Sequence, residues 1–367
     1  MKIILVLILC ASTFASSTEL IYKKKGSVAL YEKIEISTKN SRSIASVLDL
    51  MNKSNRYEFV EKNEIENEIA PVYDSVKGLD GGWHHKNINT KAALDLLVNT
   101  HKVIIAVCDS GFEKNHRYLK EQSVQGHSFL DGTSDTSPNT HHGTMVSGLI
   151  VGLQNDNVNT VGIAKHLKVM PLKITNKSGS SSTSTIADCI KYAADKGAKV
   201  INVSFTGVNR RVIQSAGKYA SDRGALLVYS AGNQGQRRKV KNYPDFKNVL
   251  IVGGTEISNE KWNCGFRCGS NWGHNIDIVA PARNVFTTRA NITFGGDEYS
   301  SPSGTSFSAP IVSAVAGLVY SVNPFFTAAE VEDILKQSAI ELGSEYKYGA
   351  GLVDAEKAVS IAISNKI

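Results

Sequence analysis

Cysteine, proline, methionine and tryptophan are all scarce in this chain of 367 residues, at five, eight, four and three respectively. A disulfide-dense miniature scaffold is excluded, and at this length none is needed, because one large domain can bury a sufficient core. No internal repeat exists, and no low-complexity tract beyond Ser178–Ser184, so a solenoid or an array is not indicated. The apolar run near a terminus, from Ile3 to Ala11, falls well short of the roughly 20 residues that cross a bilayer. Also missing is any basic stretch interleaved with aromatics. The net charge is +7, yet apart from Lys23-Lys24-Lys25 the dense basic run is Arg237, Arg238 and Lys239 with Lys241. It reads as a solvated loop, and no nucleic-acid partner is expected. At 42% hydrophobic and 20% charged residues, the balance is that of a soluble globular protein.

The amino end carries Lys2, then the short apolar run, then Ala15-Ser16-Ser17. That is the layout of a secretory signal peptide over residues 1–17, cut near Ala15, so the mature chain is expected outside the cell or in a periplasm. Lipid attachment at Cys10 is disfavoured, since Leu9 stands where a small residue should precede the cysteine. Once Cys10 departs, four cysteines remain. Cys264 and Cys268 flank a short polar loop, and export permits a small disulfide there. Cys108 in an apolar strand and Cys189 in a helix read as buried free thiols.

Beyond residue 72 the chain alternates apolar runs with helical patterns. Strands are predicted at Val103–Cys108, Leu167–Ile174, Ala198–Phe205, Ala225–Tyr229, Asn248–Gly253 and Ile276–Val279, with helices at Thr183–Lys196, Arg210–Asp222, Ser306–Tyr320 and Ala328–Ser338. Near-continuous apolar strands separated by helices predict an α/β fold: a doubly wound, mostly parallel sheet with helices on both faces. Such sheets bind ligands beyond the carboxyl ends of their strands. Residues 18–72 differ in texture, with alternating charge and few glycines, and form a separate small unit before a main domain at 73–367.

In Gly304-Thr305-Ser306-Phe307-Ser308-Ala309-Pro310 a serine opens the apolar segment Ile311–Tyr320. A serine hydroxyl needs a base at neutral pH, so a histidine and an orienting carboxylate should accompany it. Asp109 closes an apolar strand just before Ser110-Gly111, and His142 stands in His-Gly-Thr-Met-Val-Ser-Gly. Ser230-Ala231-Gly232-Asn233 closes another strand. The order Asp, His, Ser differs from that of chymotrypsin and the α/β-hydrolases, and Ser308 occupies the last glycine position of the hydrolase motif. With Ile201-Asn202-Val203-Ser204-Phe205, Val279-Ala280-Pro281 and Tyr348-Gly349-Ala350-Gly351-Leu352-Val353, these blocks make the chain from about Trp83 to Gly351 resemble the subtilisin-type serine peptidases. The related sedolisins use a glutamate base and an oxyanion aspartate, which His142 and Asn233 exclude.

The resemblance implies a secreted endopeptidase in which Ser306 is the nucleophile, His142 the base and Asp109 its orienting partner. Asn233 would share the oxyanion with the Ser306 amide, and His141 would have no catalytic part. It implies that residues 18–72 are a small α+β prodomain, an intramolecular chaperone and inhibitor removed by self-cleavage between Glu66 and Ser75. Substrate strands would lie between Gly179-Ser180-Ser181 and Ser204-Phe205-Thr206, with Asn242 near the floor of the primary pocket. The basic run from Arg237 would border that pocket and favour an acidic or apolar side chain over a basic one. The family's calcium loop corresponds to Leu153, Asn155, Asp156, Val158 and Thr160, but Tyr118 stands where the family supplies a key aspartate, so calcium is doubtful. The chemistry needs no cofactor. Partners are protein or peptide substrates and the prodomain, and the enzyme is expected to be a monomer without a membrane span.

Overall fold

The computed structural model describes residues 16–38, 41–72, 82–153, 162–239, 247–292 and 298–365. Residues 1–15, Lys241, Asn242, Asn155, Asp156, Val158 and Thr160 lie outside them.

A seven-stranded sheet runs in the spatial order Ile278–Pro281, Leu250–Thr255, Leu226–Ser230, Val200–Val203, Ile104–Asp109, Lys168–Lys173, His127–Ser128, with neighbouring strands parallel. Alternation along a strand assigns its two faces. In Ile104–Asp109, Ile105 packs where Gly317 of the long helix Thr305–Val322 leaves room, while Cys108, an odd number of residues on, reaches the helix Thr183–Asp195. Helices therefore cover both faces, and strands buried on both sides account for the uninterrupted apolar runs. The chain leaves Ile104–Asp109 toward Lys168–Lys173 on one side and then returns to Val200–Val203 on the other. The crevice at that reversal, beyond Asp109 and Val203, is where such a sheet opens to ligands.

Two disulfides are present, Cys264–Cys268 and Cys108–Cys189. The second corrects the expectation of free thiols. Both cysteines are buried, but strand and helix bring their Cα atoms to 6.2 Å across a separation of 81 residues. Local sequence does not contain that meeting of one sheet face with one helix face. The helix His142–Val151 was not anticipated either. It is buried on every side, so it shows no apolar stripe, and Gly143, Thr144, Val146, Ser147 and Gly148 are poor helix formers.

Residues 16–38 and 41–62 form an antiparallel sheet, Glu32–Thr38, Ser16–Lys24 and Tyr57–Lys62 in that order, crossed by the helix Ser41–Lys53. One face of this sheet, with Leu20 and Val60, closes on Ile44 of its helix as a small core. Ile21 and Phe59, on the opposite face, join the main core. Polar contacts fasten the same seam. Glu61 accepts the amides of Arg211 and Val212 at 3.2 and 2.9 Å, the Asn63 side chain accepts that of Ser184 at 2.9 Å, and Tyr31 donates to the Ser184 carbonyl at 3.2 Å. A side-chain oxygen on the free N–H groups of a helix start satisfies donors that the helix itself cannot. The strands of the small unit thereby cap the helices Thr183–Asp195 and Arg211–Ser221.

Candidate active site

Asp109 is the last residue of its strand and His142 the first of its helix. They can meet because Gly143 has no side chain, since a Cβ there would stand 2.2 Å from the Gly111 carbonyl. The imidazole Nδ1 lies 2.9 and 3.0 Å from the two Asp109 carboxylate oxygens, one of which also takes the Ser110 amide at 2.7 Å. Both side chains are buried. Burial pushes the imidazole down, but the charge and hydrogen bond of Asp109 outweigh it, and Glu68 and the Ile69 carbonyl add to the rise, bringing His142 to about 9. His141 points away, with Nδ1 2.8 Å from the Ala290 carbonyl and Arg289 at 3.2 Å from Nε2, and burial followed by Arg289 lowers it.

Ser306 stands in the first turn of Thr305–Val322. Four residues on, Pro310 has no N–H to give to the Ser306 carbonyl, and the Ser204 hydroxyl donates to that carbonyl instead, at 3.0 Å. Ser204 is held in turn by Asn202 at 3.1 Å, and Asn202 by Ser313 at 3.0 Å. This buried polar chain ties the serine helix to the carboxyl end of the strand Val200–Val203. Asn233 follows the strand Leu226–Ser230, and its side-chain oxygen is taken by the amide and the hydroxyl of Thr305, each at 2.9 Å. Its NH2 is thereby aimed past Gly304 into the cleft, where a Cβ on Gly304 would come within 2.9 Å of it.

The cleft is filled by the chain's own residues 64–72. Ile65–Asn67 pairs antiparallel with Ser180–Ser182, continued by the Glu68 amide on the Gly179 carbonyl at 2.9 Å. On the other side the Ile69 amide reaches the Ser204 carbonyl at 3.3 Å, and the Thr206 amide the Asn67 carbonyl at 3.1 Å. The segment is thus an added strand between two edges of the main domain, the mode by which extended peptides are recognised. At its end the Ser306 hydroxyl donates to the Ile69 carbonyl at 3.1 Å, and Asn233 lies 3.4 Å from the Ala70 carbonyl. His142 Nε2 is buried and, among the described residues, has no hydrogen-bond partner of normal geometry.

Glu68 projects toward His142 and Asp109, and one ligand atom of each of the three lies within 4.8 Å of the others. Thr140 donates to Glu68 at 3.0 Å. Burial raises the Glu68 carboxyl, opposed by His142 and Thr140 and reinforced by Asp109. This neighbour was missed from sequence because nothing local to Glu68 signals that it will dock beside a histidine 74 positions away. Gly179, Ser180 and Ser181 and the backbone of Ser204 and Thr206 do line the strand, whereas the Phe205 side chain is fully buried in the core. Of the basic run, Arg237 lies 5.6 Å over the Trp272 ring and Arg238 donates to the Asn275 carbonyl at 3.3 Å. Of the five metal candidates only Leu153 is described, its amide on the Tyr118 carbonyl at 2.8 Å. The Tyr118 ring lies 5.2 Å from that of Tyr299, tilted against it, with Arg117 4.8 Å over its face and paired to Glu298 at 3.1 Å.

The profile described as the Subtilase family matches residues 100–351. Subtilisin Savinase of Lederbergia lenta is 33% identical over 278 residues, 75% of this chain and 97% of that protein. Thermitase of Thermoactinomyces vulgaris is 32% identical over 258 residues, 70% and 88% of the two chains. Among solved structures, the epidermin leader peptide processing serine protease of Staphylococcus aureus superposes with a TM-score of 0.73 over 95% of this chain and all of that one, at 20% identity.

Proposed function

The chain belongs to the subtilase family, and from that premise we propose that it is an exported serine endopeptidase made as a precursor that cuts itself between Ile69 and Ala70. In this reading Ser306 attacks the carbonyl carbon of the residue before the cut and passes its proton to His142 Nε2. Asp109 keeps the imidazole in the required tautomer and stabilises it when charged. The oxyanion falls to the Asn233 amide and the Ser306 N–H, at a helix start whose partial positive charge suits it. His142 returns the proton to the leaving amine, and a water molecule then releases the acyl group by the same path.

The observation that carries the reading is the Ser306 hydroxyl 3.1 Å from the Ile69 carbonyl, beside the Asp109–His142 pair. Asn233 is nearer the following carbonyl, that of Ala70. The serine decides the register, because the new bond forms at its oxygen. Residues 16–69 then act as an inhibitor that occupies its own cleft. Export is supported by the amino-terminal apolar run and by two disulfides, which an oxidising compartment permits. The partners are protein or peptide substrates, the enzyme acts as a monomer, and no cofactor enters the chemistry. Incubation with a fluorophosphonate followed by peptide mapping tests the reading. Label on Ser306 is expected, and an unlabelled Ser306 in the processed chain would refute it.

A further inference from the structure

The strand in the cleft places a carboxylate where the reaction has no use for one. Glu66 is the fourth residue before the proposed cut, counting Ile69 as the first, and its side chain is only 6% exposed. Both of its oxygens are taken by the main domain: Arg210 Nε is 2.8 Å from Oε1 and the Thr206 hydroxyl 2.7 Å from Oε2. The room is made by Gly207, whose φ is +88° and whose absent Cβ would stand 2.5 Å from the Glu66 carboxyl carbon. Tyr229 forms the far side and feels the Glu66 charge, while its hydroxyl is occupied by the Thr206 carbonyl at 2.6 Å. Glu61 also bears on Arg210, but its oxygens are committed to the Arg211 and Val212 amides. Glu66 is therefore the ion-pair partner of Arg210 among the described residues, and it belongs to the part of the chain that is cut away.

We infer that Arg210 is a specificity-determining residue, and that the processed enzyme selects protein segments carrying an acidic side chain four residues ahead of the scissile bond. The inference rests on the peptidase reading and on a cut after Ile69. A guanidinium and a hydroxyl set about a glycine-made recess form a complete carboxylate site, with both oxygens bonded and the charge opposed. An amide or an apolar side chain entering it forfeits a charge-assisted bond. A lysine there meets Arg210 with like charge. The recess lies on the main domain, so removal of residues 16–69 leaves it open to the next peptide in the same register.

The test uses the full chain after its own maturation and two peptides spanning Glu66-Asn67-Glu68-Ile69-Ala70, identical except for Glu or Gln at the fourth position before the cut. The glutamate peptide should be hydrolysed with a kcat/KM about ten- to a hundredfold higher, the range of one charge-assisted hydrogen bond. Arg210→Ala should collapse that ratio toward one, and Arg210→Glu should reverse it in favour of the glutamine peptide. Because each comparison is a ratio on one enzyme preparation, a partly folded variant does not distort it. Equal hydrolysis by the wild-type enzyme, or a preference undiminished in Arg210→Ala, overturns the inference while leaving the peptidase reading intact, and would assign Arg210 to docking of the amino-terminal unit alone. If neither peptide is cut, the peptidase reading falls and takes this inference with it.

Discussion

Thr305 grips the Asn233 side chain twice, its amide and its hydroxyl each 2.9 Å from the same Oδ1. That hydroxyl in turn accepts the Gly232 amide at 3.0 Å. Thr305 thus fixes which end of the asparagine amide faces the cleft, since an Oδ1 with two donors on it cannot rotate outward without losing both.

Asn233→Ala should lower kcat by about 10²–10³ with KM nearly unchanged, a figure taken over from removal of the oxyanion asparagine in a subtilisin. Thr305→Val removes one of the two bonds and should cost roughly tenfold, again in kcat, the scale of one neutral hydrogen bond. Steady-state kinetics separate the outcomes. A rise in KM at constant kcat in either variant would make these residues pocket walls and not aids to a developing charge.

Ser306→Ala should retain the amino-terminal unit up to Ile69, whereas the wild-type protein should yield a chain that begins at Ala70. Intact-mass measurement of the two purified proteins reads this directly. Processing of the alanine variant at the wild-type rate would mean that another protease makes the cut.

With His142 lifted to about 9, its ring is charged at neutral pH while Glu68 sits beside it, and a charged ring cannot accept the serine proton. Self-cleavage should therefore accelerate as pH rises toward 9. A raised value in the folded state also means that the charged ring stabilises the closed arrangement fully below the ordinary 6.5 and ceases to do so as pH climbs through about 9. Glu68→Gln removes one of the anions that lift the ring, so its rate profile should shift to lower pH, with Asp109 still holding part of the rise. A profile that does not move would show that the Glu68 charge is not felt at His142.

The Cys108–Cys189 bridge closes a separation of 81 residues, for which loop entropy gives about 4.5 kcal/mol. Replacing both cysteines by alanine should lower unfolding free energy by roughly 2–4 kcal/mol in urea titration. Thiol assay of the denatured, unreduced mature chain should find none of its four cysteines free. Two reactive thiols would restore the expectation of unpaired Cys108 and Cys189.

Much of the sheet was legible because a strand buried on both faces must be apolar throughout, and Ile104–Asp109 or Leu226–Ser230 announces itself by that alone. Asp109 and Asn233 stood out at the ends of apolar runs, Ser306 at the start of one, and His142 by its place in His-Gly-Thr-Met-Val-Ser-Gly. The helix His142–Val151 did not, since total burial erases the stripe that marks a helix. Cys189, Glu66, Glu68 and Arg210 acquire their partners only when separate elements dock, and residue spacing holds no trace of that docking. The partners of Arg237 and Arg238, Trp272 and the Asn275 carbonyl, are likewise set by backbone turns that residue spacing does not reveal.

The amino-terminal sheet spends its two faces differently, Leu20 and Val60 inward to its own helix and Ile21 and Phe59 outward to the enzyme. Its private core holds three buried side chains, with seven partly buried ones packed around them. Parted from the main domain, it would set Ile21 and Phe59 in water and strip Glu61 and Asn63 of the helix ends they cap. A fragment so exposed would be expected to lose much of its stability away from its host. If it is cut away as proposed, it would change from a plug in the cleft into a chain open to the very protease it had closed, and the passage from silent to active would run in one direction.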